Sequence, residues 1–167
     1  DNPDGFQESA DLVALNDALF AAARCQWDGC WPLEHIHEAN TAPMQKGLER
    51  EAQRLLSSWC EPMANSGALI SAPRPLLALK DPRLCRTLPR LIHALGVDWL
   101  SFGVAIVRDP AAVIASLGYR DDMPPLKAFA LWLRYNLELV HQRALHPAVS
   151  QWPLLSFERL VRASWKR

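Results

Sequence analysis

The stretch VAIVRDPAAVIAS, residues 104–116, limits what this chain can fold into more than any other. An apolar run stops abruptly on Arg108, Asp109-Pro110 follows, and a second apolar segment carries Ser116 eight residues after the arginine. Aspartate followed by proline is the signature of an N-cap and the first helical position, so the run reads as a strand handing over directly to a helix. The strand is apolar throughout rather than alternating, which is the pattern of a strand covered on both faces. The arrangement recurs. LLALK (76–80) leads into Asp81-Pro82 and the helical pattern RLCRTLPRLIHALG, and WPLLSF (152–157) leads into ERLVRASWKR.

Strand and helix alternating three times predict a parallel sheet with helical crossovers, an α/β fold with flanking helices. The chain has 167 residues, half of them hydrophobic, which is enough for a single domain with its own core over 1–167. Before the sheet, Ser9 can cap a helix to about Cys25 with a stripe of Leu12, Val13, Leu15, Leu19 and Phe20. A second helix is expected from about Met44 to Cys60 on the face Leu48, Ala52, Leu55, Leu56 and Trp59. A long helix spans about Pro125 to Leu145, with the stripe Leu126, Phe129, Leu133, Leu137 and Val140.

Eighteen basic and eighteen acidic residues balance to zero net charge. That argues against a nucleic-acid binder, which needs a basic surface, but leaves room for a small anion held by a few arginines. No apolar run is long enough to span a membrane, and no signal peptide is visible. Cys25, Cys30, Cys60 and Cys85 show no CxxC pair, so reduced thiols in a cytoplasmic protein are expected. The opening DNPDGFQES lacks an initiator methionine and reads as a turn, so residue 1 is not expected to be the natural start.

In open parallel sheets, ligands bind beyond the carboxyl ends of the strands. That rule selects Lys80-Asp81-Pro82-Arg83, Arg108-Asp109-Pro110 and Ser156-Phe157-Glu158. Two of these put a cation at a helix N-terminus, where free N–H groups and the helix dipole favour anions. Ser116 lies roughly 9 Å along its helix from Pro110 and on about the same face as Asp109 and Ala112. Arg108 and Ser116 can therefore reach one phosphate from two sides. The alternative is an Arg108 paired with a carboxylate at the core edge and a Ser116 that merely packs.

LLALKDPRLCRTLPRL, VAIVRDPAAVIASL, ALWLRYNLELV and WPLLSFERLV, in that order and spacing, resemble bacterial sulfotransferases. These belong to the superfamily whose donor is 3′-phosphoadenosine-5′-phosphosulfate (PAPS). The resemblance implies a three-layer architecture akin to the P-loop NTPases. It also implies transfer of a sulfuryl group from PAPS to a hydroxyl of a saccharide, glycolipid or similar acceptor, with no metal. The family reads the 3′-phosphate with an arginine ending a strand and a serine eight residues later, matched here by Arg108 and Ser116. Lys80 matches a lysine near the sulfuryl group. Phe157 falls where the family has a tyrosine packed near adenine, so the ring is kept and the hydroxyl lost.

Many small-molecule members place their catalytic histidine where this chain has Pro82, which cannot accept a proton. In carbohydrate-directed relatives a glutamate does this work, and Glu8 in GFQES resembles it. Asp81 is the second candidate, although an N-cap carboxylate makes a poor base. The family's glycine-rich 5′-phosphosulfate loop does not occur among residues 1–167: the seven glycines never cluster and no GxxxxGK[ST] is present. The expectation is a domain whose first βα unit lies upstream of residue 1. Two rival readings remain, a P-loop kinase-like phosphotransferase preferring ATP and a non-catalytic nucleotide- or partner-binding remnant. His35 and His37 in EHIHE suit either acceptor recognition or, less well, zinc. Trp27 and Trp31 suit sugar stacking or packing, while Trp59, Trp132 and Trp152 read as core.

Overall fold

Asp109-Pro110 opens a helix directly, whereas Asp81-Pro82 leads through a turn at Pro82 and Arg83 into a helix that begins at Leu84. The computed structural model describes residues 10–23, 25–29, 46, 47, 50, 51, 53, 54, 57, 79–95 and 102–164. The chain divides into two compact units, one holding Asn2–Trp27 and Leu33–Trp99, the other Asp28–Pro32 and Leu100–Arg167.

In the first unit, α1 (Ala10–Ala22) and α2 (Leu84–Leu95) pack together. Leu12, Leu15 and Leu19 recur at helical spacing and are buried with Leu91, with Leu79 and Leu84 packed alongside. Phe20 and Ala23 form a second cluster with Cys25 and Trp27, and the Arg86 guanidinium lies 5.1 Å from the Phe20 ring centroid. Burial pushes the Cys25 thiol above its ordinary pKa, with the Arg86 charge acting in the opposite sense. Lys46, Arg50, Arg54 and Ser57 are helical, inside the expected second helix. Of the expected strand 76–80, Leu79 and Lys80 are irregular and residues 76–78 lie outside the described residues.

The second unit carries β1 (Ala105–Val107), α3 (Pro110–Asp121), α4 (Pro125–Leu145), the short α5 (Pro147–Ser150), β2 (Leu154–Ser156) and α6 (Phe157–Ser164). The strands pair in parallel, with Ala105 opposite Leu154, Ile106 opposite Leu155 and Val107 opposite Ser156. A parallel pair needs a crossover, and α3, packed on α4, supplies it. Arg143 closes the return by donating to the carbonyls of Ser150, at 3.0 Å, and Trp152. Lys127 at the start of α4 pairs with Asp28. The described residues are thus mostly helical with a small two-stranded parallel sheet, α/β in the coarse sense.

α4 differs from the usual amphipathic pattern. Leu126, Phe129, Leu133, Leu137 and Val140 are exposed, Leu126 by 80%, whereas Ala128, Leu131, Glu138, Leu139 and Gln142 are buried. Glu138 is accommodated by its ion pair with Arg134 at 2.7 Å. The lengths explain the open stripe: a 21-residue helix runs about 31 Å, and a three-residue strand about 10 Å. Among the described residues, two such strands are too small a surface to cover it, and Ile106 and Leu154 are themselves exposed.

Gly118 sits inside α3, where an added Cβ would meet only the Met123 carbonyl oxygen, at an ordinary 3.7 Å. Gly118→Ala is therefore expected to raise stability by about 0.5–1 kcal/mol in urea unfolding. A loss of stability would show that the helix needs the freedom of glycine at that turn.

Candidate functional site

The register of the parallel pair determines which side chains meet at its carboxyl end. Val107 lies opposite Ser156, so the next residues along each strand are Arg108 and Phe157. The Arg108 guanidinium carbon lies 5.1 Å from the Phe157 ring centroid, a cation–π arrangement. Both residues are exposed. Among the described residues, no carboxylate lies within ion-pair distance of Arg108. The structural alternative of an arginine committed to a core-edge acid is therefore not what the described residues form.

The carboxylate next to this pair is already engaged. Glu158 accepts the Asp109 N–H through Oε1 at 2.8 Å and the Ser156 hydroxyl through Oε2 at 2.9 Å. The Asp109 N–H bond, above all, holds its carboxyl below the ordinary range, with the Ser156 hydroxyl and the Arg108 charge acting in the same direction.

The start of α3 corrects one expectation. Pro110 has no N–H, Ala111 and Ala112 donate to Asp109 Oδ1 at 2.8 and 3.3 Å, and Val113 donates to the Asp109 carbonyl at 3.1 Å. The aspartate that starts the helix has consumed the backbone donors that would otherwise attract an anion. Recognition at this end of the sheet must come from side chains. Ser116 is exposed on α3, seven residues beyond the cap.

Lys80 and Asp81 belong to the other unit. Lys80 is exposed, and Asp81 is buried at the start of α2. Asp81 Oδ1 accepts from the backbone N–H and Nε of Arg83, at 2.8 and 2.9 Å, and Oδ2 accepts from the Asn16 amide at 2.9 Å. Thr87 donates its hydroxyl to Asn16 Oδ1 at 2.6 Å, and Arg83 reaches Asp17 at 2.9 Å. The Asp81 carboxylate thus joins α1 to the start of α2. Glu8, Trp31, His35 and His37 lie outside the described residues, and Trp27 packs against Phe20 and Ala23.

Sequence reasoning places one contributor without a role and misreads another. Glu158 stands in the selected Ser156-Phe157-Glu158 stretch with no role assigned, and Trp132, expected in the core, donates its indole N–H to the Arg108 carbonyl at 2.9 Å. The need of a tryptophan N–H for a partner was the available signal. Among the described residues, no group of three or more His, Cys, Asp or Glu is placed to hold a metal, and no helix is long and apolar enough to cross a membrane. No family model, curated protein or solved structure matches the chain.

Proposed function

We propose that this chain is a PAPS-dependent sulfotransferase domain, moving a sulfuryl group from the nucleotide to a hydroxyl of a saccharide, glycolipid or similar acceptor. One observation carries the reading. An arginine at the end of a parallel strand lies over an aromatic ring and makes no direct ion pair with a carboxylate among the described residues, although Glu158 feels its charge. A guanidinium so placed suits a phosphate monoester, which it can bond through two donors at once.

On this reading Arg108 and the Ser116 hydroxyl bind the 3′-phosphate, and adenine stacks on the face of Phe157 that Arg108 leaves uncovered. The reading requires the pair of strands to belong to a wider parallel sheet within a three-layer architecture. The resemblance gives Lys80 the role of stabilising negative charge on the oxygen that bridges sulfur and the 5′-phosphate. It gives Glu8 the role of taking the acceptor proton as the acceptor oxygen attacks sulfur and the sulfur–bridging-oxygen bond breaks in line. Asp81 is the weaker candidate for the base, because both its oxygens are already bonded.

The test is calorimetric titration with adenosine 3′,5′-bisphosphate and with AMP. The bisphosphate is expected to bind at least about tenfold more tightly, the scale of one charge-assisted phosphate contact. Equal binding of the two would favour the kinase-like reading. Binding of neither would contradict the proposal.

A further inference from the structure

We propose that Trp132 and Glu158 are positioning residues which clamp the Arg108–Asp109 peptide group from both edges and so aim the Arg108 guanidinium at the bound anion. The inference rests on the nucleotide reading above. The Arg108 carbonyl and the Asp109 N–H are the two polar ends of one planar unit. Trp132, from α4, donates to the carbonyl at 2.9 Å, and Glu158, from α6, accepts the N–H at 2.8 Å. A plane bonded at both edges cannot rotate without breaking one bond, and the two bonds tie the backbone that carries Arg108 to α4 and α6, so the side chain starts from a fixed Cα.

Each jaw is itself supported. The Trp132 ring stacks on Phe129 with centroids 6.1 Å apart and planes 14° apart. The second oxygen of Glu158 is held by the Ser156 hydroxyl at the end of β2. The clamped peptide thereby connects β1, β2, α4 and α6 at the one point where the strand becomes a helix. Both clamping bonds are exposed, where water could satisfy the same groups. Their contribution to stability is accordingly small, and what they add is orientation.

Four proteins decide the matter: the wild type, Trp132→Phe, Glu158→Ala and Glu158→Gln. Each is titrated with adenosine 3′,5′-bisphosphate, with the thermal midpoint and the hydrogen exchange of the Asp109 amide measured alongside. Trp132→Phe keeps the stack and loses the N–H, and Glu158→Ala removes the acceptor. Both are expected to lose about tenfold in affinity, the scale on which supporting hydrogen bonds act, with midpoints near wild type. Glu158→Gln keeps an acceptor oxygen and should bind at least as tightly as the wild type, since a negative charge beside the anion is gone. The Asp109 amide should be protected in the wild type and in Glu158→Gln, and unprotected in Glu158→Ala.

If the wild type separates bisphosphate from AMP while Trp132→Phe and Glu158→Ala bind as it does, the clamp is refuted and the nucleotide reading stands. An unprotected Asp109 amide in the wild type refutes the clamp directly. If the wild type binds neither nucleotide, the nucleotide reading fails and the positioning role falls with it.

Discussion

Asp81→Ala is expected to lower stability by about 3 kcal/mol. The loss combines an N-cap, about 1 kcal/mol, with the stranding of buried donors at about 1–3 kcal/mol. Asn16 is fully buried, and its amide donates to Asp81, so no solvent can replace the lost acceptor. Arg83 loses the partner of both its backbone N–H and its Nε. Asp81→Asn should lie between the two proteins. Its carbonyl oxygen can still accept from Arg83, but its amide would face the Asn16 amide, donor against donor. Urea unfolding measures all three, and an alanine variant within 0.5 kcal/mol of wild type would show that this polar network does not hold α1 to α2. Because the carboxylate already has these structural duties, the expected stability loss also bears on function: any effect of Asp81 variants on catalysis must be read against it.

Gly103→Ala should destabilise the second unit by about 2 kcal/mol, through overpacking. Gly103 stands two residues before β1 and Trp152 two residues before β2, so the parallel register sets them side by side where the strands enter. The indole lies directly across Gly103, and a Cβ there would run into the ring-fusion atoms rather than the tip of a flexible chain. Trp152→Leu removes the obstructing ring, at a packing cost of its own. The double variant should therefore be more stable than the sum of the single losses by about 1 kcal/mol or more, as expected for residues in contact. Additive losses would show that the two do not meet in solution.

Local chemistry made much of this architecture legible. Aspartate followed by proline announced both caps, and proline with apolar spacing placed α4 at Pro125–Leu145. Continuous apolar runs gave the two strands, and the rule about strand carboxyl ends brought out Arg108 and Phe157, which the register then sets together. What stayed hidden had physical reasons. Periodicity shows which residues of α4 share a face but not which face is covered, and its Leu126–Val140 stripe is the open one. The cap that marks α3 also takes the backbone donors that an anion would have used. The Trp132 and Glu158 bonds cross 24 and 49 residues, and hydrogen bonds between distant segments leave no local pattern to read.

The most direct test of the central claim is the same pair of titrations repeated on Arg108→Ala. The wild type should prefer adenosine 3′,5′-bisphosphate to AMP by at least about tenfold, and the variant should lose most of that preference, because the charged contact to the 3′-phosphate is gone and the Ser116 hydroxyl alone remains to it. A preference that survives intact in Arg108→Ala would mean that this arginine does not read the 3′-phosphate, and would contradict the account.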